Sequence, residues 1–118
     1  MTGIDPSILD VSQLRQFTAG EAELEREITA LFTDTSAEYL AAMVPEAADR
    51  DWHQAAHSLK GSARGIGAGR VAALAAAAEG LVGAEAAPDR RRAAQADLAA
   101  AVADAVAALG HLTGSAKG

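Results

Sequence analysis

The apolar residues of this 118-residue chain recur at helical spacing, and no segment shows the strict alternation of a strand. The clearest example lies between residues 52 and 66, where the spacing is i, i+3, i+4 and i+7, as on one buried helix face. Alanine, the best helix former and a small core residue, fills much of the chain after residue 70. The pattern therefore favours helices that pack closely through small side chains. The apolar positions of the segment are Trp52, Ala55, Ala56, Leu59, Ala63 and Ile66.

Four long helices and one short helix are predicted. The short helix has Ser12 as its N-cap and ends before Gly20. Short connections between the long helices predict an all-α fold, an antiparallel up-down four-helix bundle with the short N-terminal helix at one end. The predicted long helices span residues 21–44, 49–64, 70–82 and 89–112. The predicted domain is 9–112, with a flexible lead-in at 1–8 and a flexible tail at 113–118.

Three segments carry local expectations. Residues 65–69 are rich in glycine but follow a helix, so we expect them to end that helix and not to cradle a phosphate. The run Arg90 to Arg92 is expected to be the solvated start of the last helix. The buried stripe of the helix at 21–44 is expected to contain Leu24, Ile28, Leu31, Phe32, Thr35, Tyr39 and Met43.

Composition and charge exclude several classes of protein. The net charge of −6 argues against general nucleic-acid binding, and the absence of cysteine excludes disulfides and thiol chemistry. The first residues lack the pattern of a signal peptide, and charges or glycines interrupt every apolar stretch that could span a membrane. We therefore expect a cytoplasmic protein that binds neither nucleic acid nor membrane, and we expect a monomer.

The most informative short stretch places His57, Lys60 and Gly61 at i, i+3 and i+4, on one helix face. His57 and Leu59 are about 200° apart around a helix, so His57 faces solvent if Leu59 enters the core. Gly61 costs about 1 kcal/mol relative to alanine in a helix. It clears space for a bulky group or a partner's backbone, or else it relieves a tight helix crossing. Lys60 and Arg64 could stabilise a phosphoryl group on the histidine.

Residues 57–63, HSLKGSA, followed by Gly67, Ala68 and Arg70, closely resemble the histidine-containing phosphotransfer domains of multistep phosphorelays. The resemblance implies a four-helix bundle in which His57 carries the phosphoryl group, Lys60 steadies it and Gly61 gives access to it. By offset from the motif, the resemblance also implies that Glu79 orients the histidine ring. The alternative for Glu79 is a solvated acid on a helix face.

The resemblance further implies a free-standing protein that shuttles a phosphoryl group between receiver-domain aspartates. The receiver would supply Mg²⁺, this chain would need no cofactor of its own, and no independent kinase activity is expected. The partner is expected on the exposed face of the third helix and the fourth helix beside it, through an apolar patch ringed by polar groups. His53, Ser58, Ser62 and Arg64 are the expected phosphoryl or docking contacts.

Two other functions stay open from the sequence. One is a scaffold or inhibitor that binds receivers without transfer, and the other is the phosphoacceptor domain of a chemotaxis-type kinase. His53 lies at i−4 from His57, a spacing found in metal sites, but no third ligand has convincing spacing, so no metal site is expected. His111 receives no role.

Overall fold

The computed structural model describes residues 3–114, and that part of the chain is all-helical, without a strand. The helices are α1 (Val11–Thr18), α2 (Ala22–Ala42), α3 (Asp49–Ile66), α4 (Gly69–Glu79) and α5 (Pro88–Thr113), with a 3₁₀ turn at Gly83–Glu85. α2 and α4 each pack against both α3 and α5, and α1 packs against α2 and α3. The all-α helical bundle is confirmed, while the up-down order of its helices stays a prediction.

The two predicted terminal segments fall partly outside the described residues, which leave out 1–2 and 115–118. Thr113, the first residue of the predicted tail, is the last residue of α5. Ile4 and Ile8 of the predicted lead-in are partly buried against the core.

Several helix ends differ from the predictions, among them that of α2, which ends at Ala42, two residues early. Asp10, and not Ser12, is the N-cap of α1, because its carboxylate accepts a hydrogen bond from the Gln13 backbone N–H at 3.2 Å. α3 continues through Gly65 and ends at Gly67, whose φ of 86° lies in the left-handed region. α4 ends at Glu79, three residues before the predicted end.

The turn between α3 and α4 is closed by the segment that precedes α1. The Asp10 backbone N–H donates to the Gly67 carbonyl at 2.9 Å, and a Cβ on Gly67 would lie 2.9 Å from the Asp10 carbonyl oxygen. Arg70 donates from its backbone to the Ser7 carbonyl at 2.7 Å and from its guanidinium to Ser7 Oγ at 2.8 Å. Gly67 is therefore required both by its φ and by this close approach, and the prediction of a helix-ending turn is confirmed.

The core stripe of α3 is confirmed in full. Trp52, Ala56, Leu59 and Ala63 are completely buried, and Ala55 and Ile66 nearly so. The Trp52 indole N–H donates to the Ala78 carbonyl of α4 at 2.7 Å. This hydrogen bond ties α3 to α4 beside the last residue of α4.

The predicted stripe of α2 is wrong at Leu31, which is 64% exposed. Phe32 and Met43 of the predicted stripe are buried, and they are joined by three polar residues that the prediction left out, Glu25, Thr29 and Ser36. Polar residues can occupy the buried face because their groups are satisfied: Thr18 Oγ1 donates to the Glu25 carboxylate at 2.8 Å, and Thr29 Oγ1 donates to the Glu25 carbonyl at 2.8 Å. Ile28 and Tyr39 pack half-buried against the core, and Leu31 is the one residue of the predicted stripe that is turned toward the surface.

The prediction of a solvated arginine run is wrong for Arg91, which is only 2% exposed. Its guanidinium lies 4.7 Å from the centre of the Trp52 ring and donates to the Asp49 carboxylate at 2.8 Å. Because these partners satisfy the buried cation, Arg91 closes the end of the bundle where the α2–α3 and α4–α5 connections meet. The backbone carbonyls that also accept from Arg91 are those of Pro45, Ala47 and Leu81.

The expectation that no stretch is apolar enough to span a membrane is wrong for α5. Its 26 residues include an 18-residue window of mean hydropathy 1.3, so by length and composition alone α5 could cross a membrane. A third of that window is buried, and Leu98, Val102 and Leu109 of α5 belong to the core. One such helix is weak evidence for a membrane span, since core helices pass the same test.

Candidate functional site

α3 presents His57 to solvent, as its helical position predicts. Leu59 is completely buried, whereas the His57 side chain is 66% exposed. The hydrogen bond from Trp52 to Ala78 holds α4 against α3, so the following residue, Glu79, lies beside His57. The pairing of these two side chains across 22 residues is thus a product of helix packing.

Glu79 contacts both His57 and Lys60. Its Oε2 lies 3.0 Å from His57 Nδ1, and its Oε1 forms an ion pair with the Lys60 ammonium. The pKa of Glu79 is lowered, chiefly by the hydrogen bond from Lys60; desolvation opposes this, and the hydrogen bond from His57 adds to it. The group is therefore a carboxylate at neutral pH and only accepts hydrogen bonds.

This geometry determines the tautomer of a neutral His57. Because the Glu79 carboxylate accepts, His57 Nδ1 carries the proton and donates. The remaining lone pair is on Nε2, at the exposed end of the ring. A nucleophilic nitrogen therefore faces solvent from a ring whose orientation is fixed at its other nitrogen.

Lys60 acts on Glu79 in this structure. Its side chain is 17% exposed and its ammonium is paired with the carboxylate. The sequence predicts that the Lys60 ammonium reaches a phosphoryl group attached to His57, and that contact stays a prediction. The observed ion pair adds a second task, which is to hold Glu79 in its charged form.

The residue Gly61 lies in open space. Within residues 3–114, a Cβ there would meet no atom within 4 Å apart from the adjoining backbone of α3, and the same holds for Gly65 one turn later. The alternative of a tight helix crossing is therefore wrong for Gly61. Together the two glycines leave a strip of α3 beside His57 without side chains.

The predicted contacts Ser58 and Ser62 lie on the side of α3 that faces α2. Both are half-buried, and each lines a groove between these two helices. Arg64 is exposed, and its guanidinium has no ion pair within residues 3–114. Arg50, which sequence reasoning missed, is likewise exposed and unpaired in the described chain, seven residues before His57 as Arg64 is seven after it.

Two large apolar side chains, Phe17 of α1 and Leu31 of α2, are about two-thirds exposed. They line one groove together with Ser62 and Gly65 of α3. This groove lies on the flank of α3 that faces α2. The expected apolar patch on the exposed face of α3 and on α4 stays a prediction.

His53 stacks on His57. Their ring centroids are 6.0 Å apart with an angle of 15° between the planes, and His53 Nε2 lies 3.8 Å from Glu79 Oε2. Within the described residues, His53, His57 and Glu79 are the group whose donor atoms could hold a metal ion. The third ligand that the sequence lacked is supplied by α4.

The family model of the Hpt domain matches residues 27–111, well over half of the chain. The chain therefore belongs to the Hpt domain family, the phosphotransfer domains of two-component systems, which interact with receiver domains and are generally soluble. Neither the curated proteins nor the solved structures give a significant match.

Proposed function

We propose that this protein accepts a phosphoryl group on His57 from the aspartyl phosphate of one receiver domain and passes it to an aspartate of another. The observation that carries the proposal is the 3.0 Å contact between His57 Nδ1 and the Glu79 carboxylate. It leaves the lone pair of the exposed Nε2 available for attack. An exposed histidine without surrounding walls is suited to a reaction whose pocket belongs to the partner.

In the proposed step, Nε2 of His57 attacks the phosphorus atom of the aspartyl phosphate. An N–P bond forms, the bond between phosphorus and the aspartate oxygen breaks, and the carboxylate leaves with the electron pair. The ring becomes cationic while Nδ1–H still donates to Glu79, whose negative charge stabilises it. The receiver would contribute Mg²⁺ on the phosphoryl oxygens, and this chain would need no nucleotide.

The cations of α3 have separate proposed tasks. Lys60 holds Glu79 in place and would approach the phosphoryl oxygens once His57 is modified. Arg50 and Arg64, exposed on the same face as His57, would attract the acidic phosphorylation pocket of a receiver. Their contribution would be larger for the rate of association than for the stability of the complex.

We place the receiver on a docking surface made of Phe17, Leu31, Gly61 and Gly65. The two apolar side chains would supply the desolvated centre of the interface, and the two glycines would let the partner's backbone approach α3. The expected patch on the exposed face of α3 and on α4 is the alternative docking surface. A cytoplasmic location, a monomeric state and the absence of nucleic-acid and membrane partners remain part of the proposal.

The direct test is phosphoryl transfer from a panel of ³²P-labelled receivers in the presence of Mg²⁺. The wild-type protein and His111→Gln should gain acid-labile label, and His57→Gln should gain none. Label on His57→Gln would overturn the assignment. Receiver binding without transfer would favour the scaffold, and labelling by a kinase with ATP but no receiver would favour the chemotaxis-type domain.

The docking surface has its own test. Phe17→Ser and Leu31→Ser should each weaken receiver binding about tenfold, as removal of an interface anchor does. Val44→Ser, an exposed apolar residue outside the docking surface, is the control and should bind like wild type. Equal weakening by all three variants, or by Val44→Ser alone, would place the partner elsewhere.

A further inference from the structure

The proposed transfer step does not use His53, yet its side chain is held in a defined position against both His57 and Glu79. It lies one helical turn before His57, and the two rings stack at 6.0 Å. Its Nε2 is 3.8 Å from the Glu79 carboxylate oxygen that also contacts His57 Nδ1. Two imidazoles and one carboxylate thus converge on one small volume.

The orientation of His53 matches that of a metal ligand. Its Nδ1 lies 3.3 Å from the Glu79 backbone carbonyl, which can only accept, so Nδ1 carries the proton. The lone pair of a neutral His53 is therefore on Nε2, on the side of the Glu79 carboxylate. Histidines that bind metals commonly donate their second ring N–H to a backbone carbonyl, which fixes the tautomer in this way.

The distances also suit a small cation. Zinc bonds of about 2.0–2.1 Å in tetrahedral geometry place neighbouring ligand atoms about 3.4 Å apart. The two separations measured from Glu79 Oε2 are 3.0 Å to His57 Nδ1 and 3.8 Å to His53 Nε2, on either side of that value. All three donor atoms lie within 4.8 Å of one another, so small side-chain rotations would complete the site.

We propose that His53, His57 and Glu79 form a binding site for a divalent transition ion of the Zn²⁺ type, with water in the remaining position. Two imidazoles and one carboxylate are donors that suit Zn²⁺, Ni²⁺ or Cu²⁺, whereas Mg²⁺ prefers an all-oxygen shell. The Mg²⁺ that a receiver uses would therefore not compete for this site. Lys60 stays on the other carboxylate oxygen and moderates the affinity by charge repulsion.

Metal binding would switch off the nucleophile, a consequence that rests on the proposed function. A neutral imidazole has one lone pair. When His57 Nδ1 binds the ion, the ring proton moves through solvent to Nε2, and the nitrogen that attacks phosphorus loses its lone pair. The same side chain can then hold the metal or accept a phosphoryl group, but not both.

The first test is a calorimetric titration of the full unphosphorylated chain with ZnCl₂, together with NMR of the histidine ring protons. One ion should bind, and the His53 and His57 signals should shift while that of His111, exposed on α5, does not. His53→Ala should weaken zinc binding by about tenfold or more. Losing a metal ligand should cost more affinity than losing a group that only hydrogen-bonds to a ligand. Binding equal to wild type in His53→Ala, or a loss in His111→Ala instead, would overturn the site.

The second test uses phosphoramidate, a small phosphoryl donor that requires no docking. Zn²⁺ at a concentration that saturates wild type should slow labelling of His57 at least tenfold, and EDTA should restore it, while Mg²⁺ should have no effect. Each variant is compared with itself, and His53→Ala should lose the sensitivity to Zn²⁺. Undiminished labelling of zinc-loaded wild type would overturn the proposal that the metal blocks His57. No labelling even without Zn²⁺ would count against the proposed function and leave the metal site standing.

Discussion

Two charged clusters lie along α3, one near its start and one about a turn further on. They differ in whether all of their nitrogen atoms have a hydrogen-bond partner. Near the start of α3, Arg91 is buried against Trp52 and Asp49, and each of its three guanidinium nitrogens donates a hydrogen bond. One turn further on, His57 and Lys60 share the Glu79 carboxylate at the surface. In this second cluster one nitrogen, Nε2 of His57, remains free.

The comparison separates a cluster that holds the fold from one that can react. The two are linked, because Trp52 stacks under Arg91 and also donates to Ala78, the residue before Glu79. The buried cluster thus fixes the position of α4, and α4 delivers the carboxylate to His57. A change in the first should act on stability, and a change in the second on chemistry.

The largest expected effect is on stability, in Arg91→Met. Removal of the guanidinium leaves the Asp49 carboxylate and several carbonyls without their donor, so the free energy of unfolding should fall by about 3 kcal/mol or more. Urea denaturation measures this. Arg90→Met, at an exposed neighbour paired with Glu85, is the matched control and should change stability by no more than about 0.5 kcal/mol. Similar losses in both variants would remove the distinction between the clusters.

The next effect is on reaction rate, in Glu79→Ala. Loss of a charge-assisted hydrogen bond worth about 1.5–3 kcal/mol should slow phosphorylation of His57 by phosphoramidate roughly 10- to 100-fold. Glu79→Gln keeps an acceptor for Nδ1–H and should recover part of the rate. If both variants react like wild type, Glu79 does not position the ring.

A smaller effect is expected for Gly61→Ala, which should raise the stability of the fold and slow phosphoryl transfer from a receiver. The variant should be more stable by up to about 1 kcal/mol, because alanine suits a helix interior and its Cβ clashes with no neighbouring element in residues 3–114. Transfer from a receiver should slow, while phosphoramidate labelling should not. Loss of stability, or unchanged transfer from the receiver, would contradict the interpretation of Gly61 as access for a partner.

The smallest effect concerns pH. Because the folded pKa of Glu79 lies below its ordinary value of 4.5, its interactions with Lys60 and His57 stabilise the fold above that value. This contribution should disappear as the pH falls through the lowered pKa. The stability difference between wild type and Glu79→Gln should accordingly be positive at neutral pH and vanish in acid. Asp97→Asn, at an exposed acid without an ion pair in residues 3–114, should show no such trend.

The sequence predicted the α3 face in full because its apolar spacing is regular and its partners are apolar. On α2 it missed the burial of Glu25 and Thr29, whose polar groups are satisfied by hydrogen bonds that hydrophobicity does not reveal. It failed at Arg91 for a related reason, since the groups that accept hydrogen bonds from its guanidinium lie 10 to 46 residues away along the chain. Spacing along a helix cannot show which distant carbonyls will converge on a side chain.

The site shows the same division. His57 and its exposure follow from helix geometry, and Glu79 was found by resemblance to the family motif. The contacts of His53 and Lys60 with Glu79 depend on how closely α4 packs on α3, and small buried residues such as Ala56 and Ala75 allow close helix packing. Only the folded structure could bring the third donor to the two histidines.

The central claim is that Glu79 holds the proton of His57 on Nδ1 and leaves Nε2 to react. It is tested most directly by ¹⁵N and ³¹P NMR of protein labelled at histidine and phosphorylated with phosphoramidate. The account predicts a phosphorus coupling to His57 Nε2, with a protonated Nδ1. A phosphoryl group on Nδ1 would contradict it, as would the same isomer mixture in Glu79→Ala as in wild type.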